Sequence, residues 1–175
     1  MGIVNIGTAE NRTIDARNPR TGELDYSFEV TPTSEIENTA NELRANQPKW
    51  AALTVDERAD ILREWARIVS KSSDLLEALV TDTGRYFIAT AEIENLAKSI
   101  EGWHMIGRQV FAEQEPIQSS HPSVIYSHQY KPFEVVGIVG PWNFPFLISL
   151  IDLLPALMAG SAAITKPSEI TPRFI

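Results

Sequence analysis

Residues 135–139 form an unbroken apolar run, residues 145–159 a longer one, and residues 161–165 a third that Lys166-Pro167 closes. This pattern constrains the fold more than any other stretch of the chain. A continuous five-residue apolar run is what a strand buried on both faces of a parallel sheet requires. Fifteen residues suit a helix, Gly140-Pro141-Trp142-Asn143 supplies the turn before it, and a second strand returns beside the first. The segment therefore predicts one βαβ unit and an α/β fold. Ligands of such sheets bind outside the carboxyl ends of the strands.

Upstream, Asn18-Pro19-Arg20-Thr21-Gly22-Glu23 is a turn cluster between β-forming runs at 13–16 and 24–30, which predicts a hairpin. Thr33 or Ser34 is expected to cap a helix that runs to about Asn46 and ends at Pro48. Thr54-Val55-Asp56-Glu57 reads as a capping box. Behind it Ile61, Leu62, Trp65, Ile68 and Val69 form a stripe at helical spacing. Ser72-Ser73 interrupts the pattern. A short helix with Leu75, Leu76, Leu79 and Val80 follows, and Gly84 suits its left-handed cap. A third helix over about 89–112 is expected to bury Ile93, Leu96, Ala97, Ile100 and Trp103. Residues 119–122 read as a loop and 124–130 as a strand that Pro132 breaks. No repeat or low-complexity tract is present.

Composition narrows the function. Hydrophobic residues at 43% and charged residues at 22% provide enough apolar material for a core and argue against disorder. A net charge of −8 repels phosphates, so nucleic acid is excluded as a partner. The absence of cysteine excludes disulfides and thiolate metal sites, and no metal is expected. Residues 1–10 lack the basic and apolar regions of a signal peptide, and Ile6 defeats a myristoylation signal; a cytoplasmic protein is expected. Residues 144–165 are apolar enough to raise a membrane span. Asp152, Pro155 and Gly160 oppose it, since a mid-bilayer Asp costs about 3 kcal/mol on insertion scales.

The residues with chemistry sit at the two ends of the βαβ unit. Asn143 follows the first strand, and its amide serves either as a helix cap or as a donor to an oxyanion; the two uses are compatible. Lys166 ends the second strand, 166 − 143 = 23 residues on. It reads either as a solvated charge or, with Glu169, as a pair that binds ribose hydroxyls. A carboxylate at 169 accepts from a 2′-OH and opposes a 2′-phosphate. The sparse glycines of 137–140 make no dinucleotide fingerprint.

Pro141-Trp142-Asn143-Phe144-Pro145 and Lys166-Pro167-Ser168-Glu169, with the residues between them, resemble the NAD(P)-dependent aldehyde dehydrogenase superfamily. Weaker matches lie in the same order upstream: the 18–23 turn, Gln47-Pro48-Lys49-Trp50 and Asp82-Thr83-Gly84. The resemblance implies the N-terminal portion of that fold. Residues 1–118 would form a hairpin and helical part, 119–132 an excursion that pairs subunits into a homo-oligomer, and 133–175 the start of a Rossmann-like NAD-binding sheet. It implies an oxyanion role for Asn143 and a cofactor site formed by Val139, Trp142, Lys166, Ser168 and Glu169. Phe144 would face the aldehyde tunnel. The implied reaction is oxidation of an aldehyde to a carboxylic acid with NAD, or NADP. That chemistry uses a cysteine thiolate and a general-base glutamate which, in this family, lie beyond the stretch this sequence covers. The chain alone is therefore expected to be inactive; the alternative is a short non-catalytic protein that binds nucleotide or a subunit.

Overall fold

The computed structural model describes residues 13–112 and 115–175. The readings made on residues 1–10 lie outside them. The hairpin expected around the 18–23 turn is present: β1 (Thr13–Arg17) pairs antiparallel with β2 (Leu24–Glu29). Asn18 closes it, its Oδ1 accepting from the Arg20 N–H at 3.0 Å and its carbonyl from the Gly22 N–H at 2.8 Å.

Four helices follow. The first, α1 (Thr33–Ala51), differs from expectation at both ends. Neither Thr33 nor Ser34 caps it; the cap position is Pro32, with no side-chain hydrogen bond. Pro48 does not end it but lies inside its last turn. Tertiary bonds hold that turn helical: Gln47 Nε2 donates to the Gly160 carbonyl at 2.7 Å and Trp50 Nε1 to that of Leu157 at 2.8 Å. They outweigh the cost of one intrahelical bond that proline cannot make.

In α2 (Val55–Val69) the capping box forms as the sequence predicts, Thr54 and Glu57 bonding reciprocally. Its buried face, however, is Arg58, Ala59, Leu62, Ala66 and Val69, while Ile61 and Ile68 are 50% and 57% exposed. The 3.6-residue period turns the axis of the stripe toward 59, 62, 66 and 69, because small alanines let α4 approach there. Next comes α3 (Ser73–Thr83), capped by Ser72 and closed by Gly84 in the left-handed conformation, as expected. The long α4 (Tyr86–Val110) buries Ala89, Ile93, Leu96 and Ile100, but leaves Ala97 exposed and Trp103 half-buried.

The predicted 124–130 strand is only β4 (Ile125–Tyr126), paired with β3 (Ile117–Gln118). Pro116, next in the ladder, has no N–H to extend it. Residues 121–131 are all exposed.

The βαβ unit closes the chain: β5 (Val135–Val139), α5 (Pro145–Ala159) and β6 (Ala162–Lys166), the strands parallel with Val139 opposite Lys166. The strand expected to be buried on both faces buries Ile138 alone; the sheet has two strands among the described residues, and α1 and α5 cover it in part. One core joins α2, α3 and α4 to Phe146, Leu150, Leu154 and Met158 of α5. The α5 carbonyls at its C-terminal end are met by α1 and by buried Arg58, whose Nε donates to Met158 at 3.0 Å. Among the described residues no helix is long and apolar enough to cross a membrane.

Candidate functional site

Both sequence strings come to the carboxyl end of the β5–β6 pair. The ladder runs one residue past β5, with the Gly140 N–H donating to the Lys166 carbonyl at 2.9 Å. A Cβ at residue 140 would lie 2.3 Å from Ser149 Oγ, so a larger residue there would displace the buried Ser149 hydroxyl from its bond to the Pro145 carbonyl. Val139 and Trp142 stand in solvent at 77% and 59% exposure. Across the register, Lys166 Nζ donates to Glu169 Oε2 at 3.2 Å and to the Pro167 carbonyl at 2.9 Å. Both members of the pair are exposed. Ser168 is buried, and its hydroxyl accepts from the Ile170 N–H at 3.2 Å, so it shapes the turn from within.

The segment after Glu169 is tied down by Arg173, a residue the sequence reading did not single out. Arg173 donates from its backbone N–H to Asp82 Oδ2 at 3.0 Å, and its guanidinium bonds Asp82 and Asp25. The same guanidinium lies over the Tyr26 ring at 4.5 Å. Asp82 is almost fully buried, so this clamp joins the chain end to α3 and β2.

Asn143 is not the helix cap. The cap position of α5 is Phe144, without a side-chain hydrogen bond, and Pro145 opens the helix. Capping comes from another element: Glu92 of α4 accepts from the Phe146 and Leu147 N–H groups through Oε2, at 3.0 and 2.8 Å. The positive end of α5 therefore faces Glu92, not the Asn143 side chain. Burial pushes the Glu92 carboxyl above its ordinary value, while those two N–H groups and Arg85 pull it back. Arg85 also bonds the Asn143 backbone carbonyl, and its guanidinium lies 4.9 Å from the centroid of the half-buried Phe144 ring. The Asn143 amide group itself makes no hydrogen bond to the described residues and is half-buried. One signal for Glu92 was legible: a carboxylate four residues before Leu96 and eight before Ile100 falls on the buried stripe of α4. Nothing local marks Arg85.

Comparison with known proteins identifies the family. The pattern of the aldehyde dehydrogenase family matches residues 6–175. The chain belongs to the aldehyde dehydrogenase family. Among solved structures it is similar to PutA of Anabaena variabilis, at 39% identity and a TM-score of 0.86, over 93% of this chain and 35% of that one. It is also similar to an aldehyde dehydrogenase of Brucella melitensis biovar abortus 2308, at 25% identity and a TM-score of 0.82, over 93% and 34%. An Escherichia coli structure described as an NADP dependent enzyme matches at 28% identity and a TM-score of 0.75, over 93% and 34%. The chain thus spans about a third of the length of these proteins. The mixed α/β architecture is that of their N-terminal part, with two strands of a Rossmann-like sheet.

Proposed function

We propose that these residues form the N-terminal part of an NAD(P)-dependent aldehyde dehydrogenase that oxidises an aldehyde to a carboxylic acid. In this reading residues 1–118, 119–132 and 133–175 are its helical part, its subunit-pairing excursion and the start of its cofactor sheet. One observation carries the reading: the Asn143 amide is uncommitted, on a backbone that is itself held, at the same sheet end as Lys166 and Glu169. Capping would engage Asn143 Oδ1 and falls instead to Glu92; the Nδ2 N–H groups, which are what an oxyanion needs, bond no described residue.

The donor set suits a nicotinamide dinucleotide. Lys166 and Glu169 offer a cation and a carboxylate to ribose hydroxyls, and exposed Val139 and Trp142 offer an apolar floor. Ser168 holds the turn that presents Glu169. Phe144, fixed under Arg85, borders the approach of the aldehyde. When bound, NAD(P)+ supplies the hydride acceptor. The thiolate and the water-activating carboxylate are contributed from outside these 175 residues, which contain no cysteine. The exposed 121–131 segment pairs subunits into a homo-oligomer.

Two variants of the complete enzyme test the assignment. Asn143→Ala should lower kcat about a hundredfold or more with a smaller change in NAD+ affinity. Glu169→Gln should weaken NAD+ binding by about 1–2 kcal/mol and narrow the preference over NADP+. An unchanged kcat in the first variant, with chemistry rate-limiting, removes Asn143 from the reaction. The 175-residue chain alone should form no NADH from any aldehyde above a buffer blank.

A further inference from the structure

The turn that carries Asn143 is gripped from one side by a single helix. Arg85, at the N-terminal boundary of α4, donates to the carbonyl of Asn143 and covers the ring of Phe144. Glu92 lies seven residues on, two helical turns along the same face. It accepts from Phe146 and Leu147 at 3.0 and 2.8 Å. The grip therefore falls on residue 143 at one end and on residues 146 and 147 at the other. Phe144 and Pro145 are slung between, and proline has no N–H to fix the span from within. A backbone anchored on both sides of a short, proline-stiffened bridge fixes the point from which the Asn143 side chain projects.

The manner of the grip is specific. Glu92 is 1% exposed, and its second oxygen, Oε1, is buried with no hydrogen-bond partner among the described residues. A buried carboxylate with one bare oxygen is a costly way to cap a helix, since a neutral Ser or Asn would satisfy the same N–H groups. What Glu92 adds is a tie from another helix: one side-chain oxygen of α4 holds both N–H groups at once. It occupies the N-terminal end of α5 beside the turn, while Arg85 holds the other side of the bridge at Asn143 and Phe144.

We propose that Arg85 and Glu92 are positioning residues for the oxyanion donor. Arg85 fixes the backbone of Asn143. Glu92 takes the two α5 N–H groups for itself, so that the side-chain amide, not the helix end, is the donor this chain presents. This rests on the reading of Asn143 given above. Removing either grip moves the amide, and small displacements of a catalytic group reduce rate steeply.

The test uses the complete enzyme that carries these residues, with Glu92→Ala, Glu92→Gln, Arg85→Ala, Arg85→Lys, Asn143→Ala and the Glu92→Ala/Asn143→Ala double variant. Glu92→Ala and Arg85→Ala should each lower kcat about tenfold or more, with the Kd for NAD+ within about twofold. Glu92→Gln keeps an acceptor for both N–H groups and should recover to within about threefold, whereas Arg85→Lys, which loses the planar stack, should not. In the Asn143→Ala background Glu92→Ala should cost less than about twofold, because its effect passes through Asn143. Hydrogen exchange read over residues 143–150 should quicken at Phe146 and Leu147 in Glu92→Ala and stay slow in Glu92→Gln. Equal costs with and without Asn143, or unchanged exchange at those amides, would overturn the proposal. If Glu92→Ala does not fold, the Glu92→Gln, Arg85→Lys and Arg85→Ala measurements decide it. An unaffected Asn143→Ala enzyme would instead break the reading of Asn143, while exchange would still show whether α4 holds the turn.

Discussion

Two glutamates on α4, nine residues apart, meet opposite fates. Glu101 points outward and is held by Arg63 in a two-bonded pair at 2.7 and 2.8 Å. That outer face continues through His104, which lies 2.6 Å from Asp56 and 2.9 Å from Arg63. Glu92 points inward, with two backbone N–H groups and a bare oxygen. Arg63 drives the Glu101 carboxyl below its usual range, whereas burial drives that of Glu92 above it. The outer pairs are solvated, so each contributes little to stability. The inner carboxylate is where an expense is accepted, and it lies beside the candidate site. The contrast separates a charge that decorates a helix from one that positions something.

The largest test of this division is Leu96→Ala on the inner face. With Leu96 almost wholly buried, it should cost about 2–5 kcal/mol in urea unfolding of the 175-residue chain. An effect below that range would mean that the two faces do not differ in packing.

The next is the pH dependence, where the two glutamates must show opposite signs. Glu92 has a raised folded pKa, so the fold binds more protons than the unfolded chain between the ordinary carboxylate value and that raised one; its contribution falls as pH rises through the window. Glu101 has a lowered folded pKa, so its contribution is present above the ordinary value and is lost as pH falls through the folded one. Stability differences between wild type and Glu92→Gln, and between wild type and Glu101→Gln, measured from acid to neutral pH, should slope in opposite directions. Parallel slopes would erase the comparison.

At neutral pH Glu101→Gln should cost no more than about 1 kcal/mol, and less in high salt. Smallest of all, Ile61→Ser and Ile68→Ser on α2 should each change stability by less than about 0.5 kcal/mol, because both side chains are half exposed. A larger loss would show that the sequence stripe, rather than the observed face, marks the core.

The last test points to what the sequence made legible. The βαβ unit was readable to within a residue, because apolar runs, glycine and proline there act locally and agree with one another. The hairpin and the capping box were readable for the same reason. What escaped reading depended on partners distant in sequence. Pro48 stays helical because Gln47 and Trp50 reach α5, and nothing within five residues announces that. The strand at 124–130 shrank because its partner ends at Pro116. At the site, Asn143, Lys166 and Glu169 were visible as residue types in suggestive places. That a glutamate from α4, and not Asn143, caps α5 required knowing which helix lies beside the turn.

The far end of α5 has a consequence for how the chain matures on the ribosome. Its terminal carbonyls wait for donors made much earlier: Gln47, Trp50 and Arg58 precede their acceptors by 113, 107 and 100 residues. At translation rates of about 5–20 residues per second, those donors exist for about 5–20 s before α5 emerges. During that interval Arg58, which is 4% exposed in the finished fold, has only part of its hydrogen-bonding shell, from Leu53 and Ala51. The helical segment is therefore born with an open socket shaped for one helix end, and its closure must follow the arrival of Gly160.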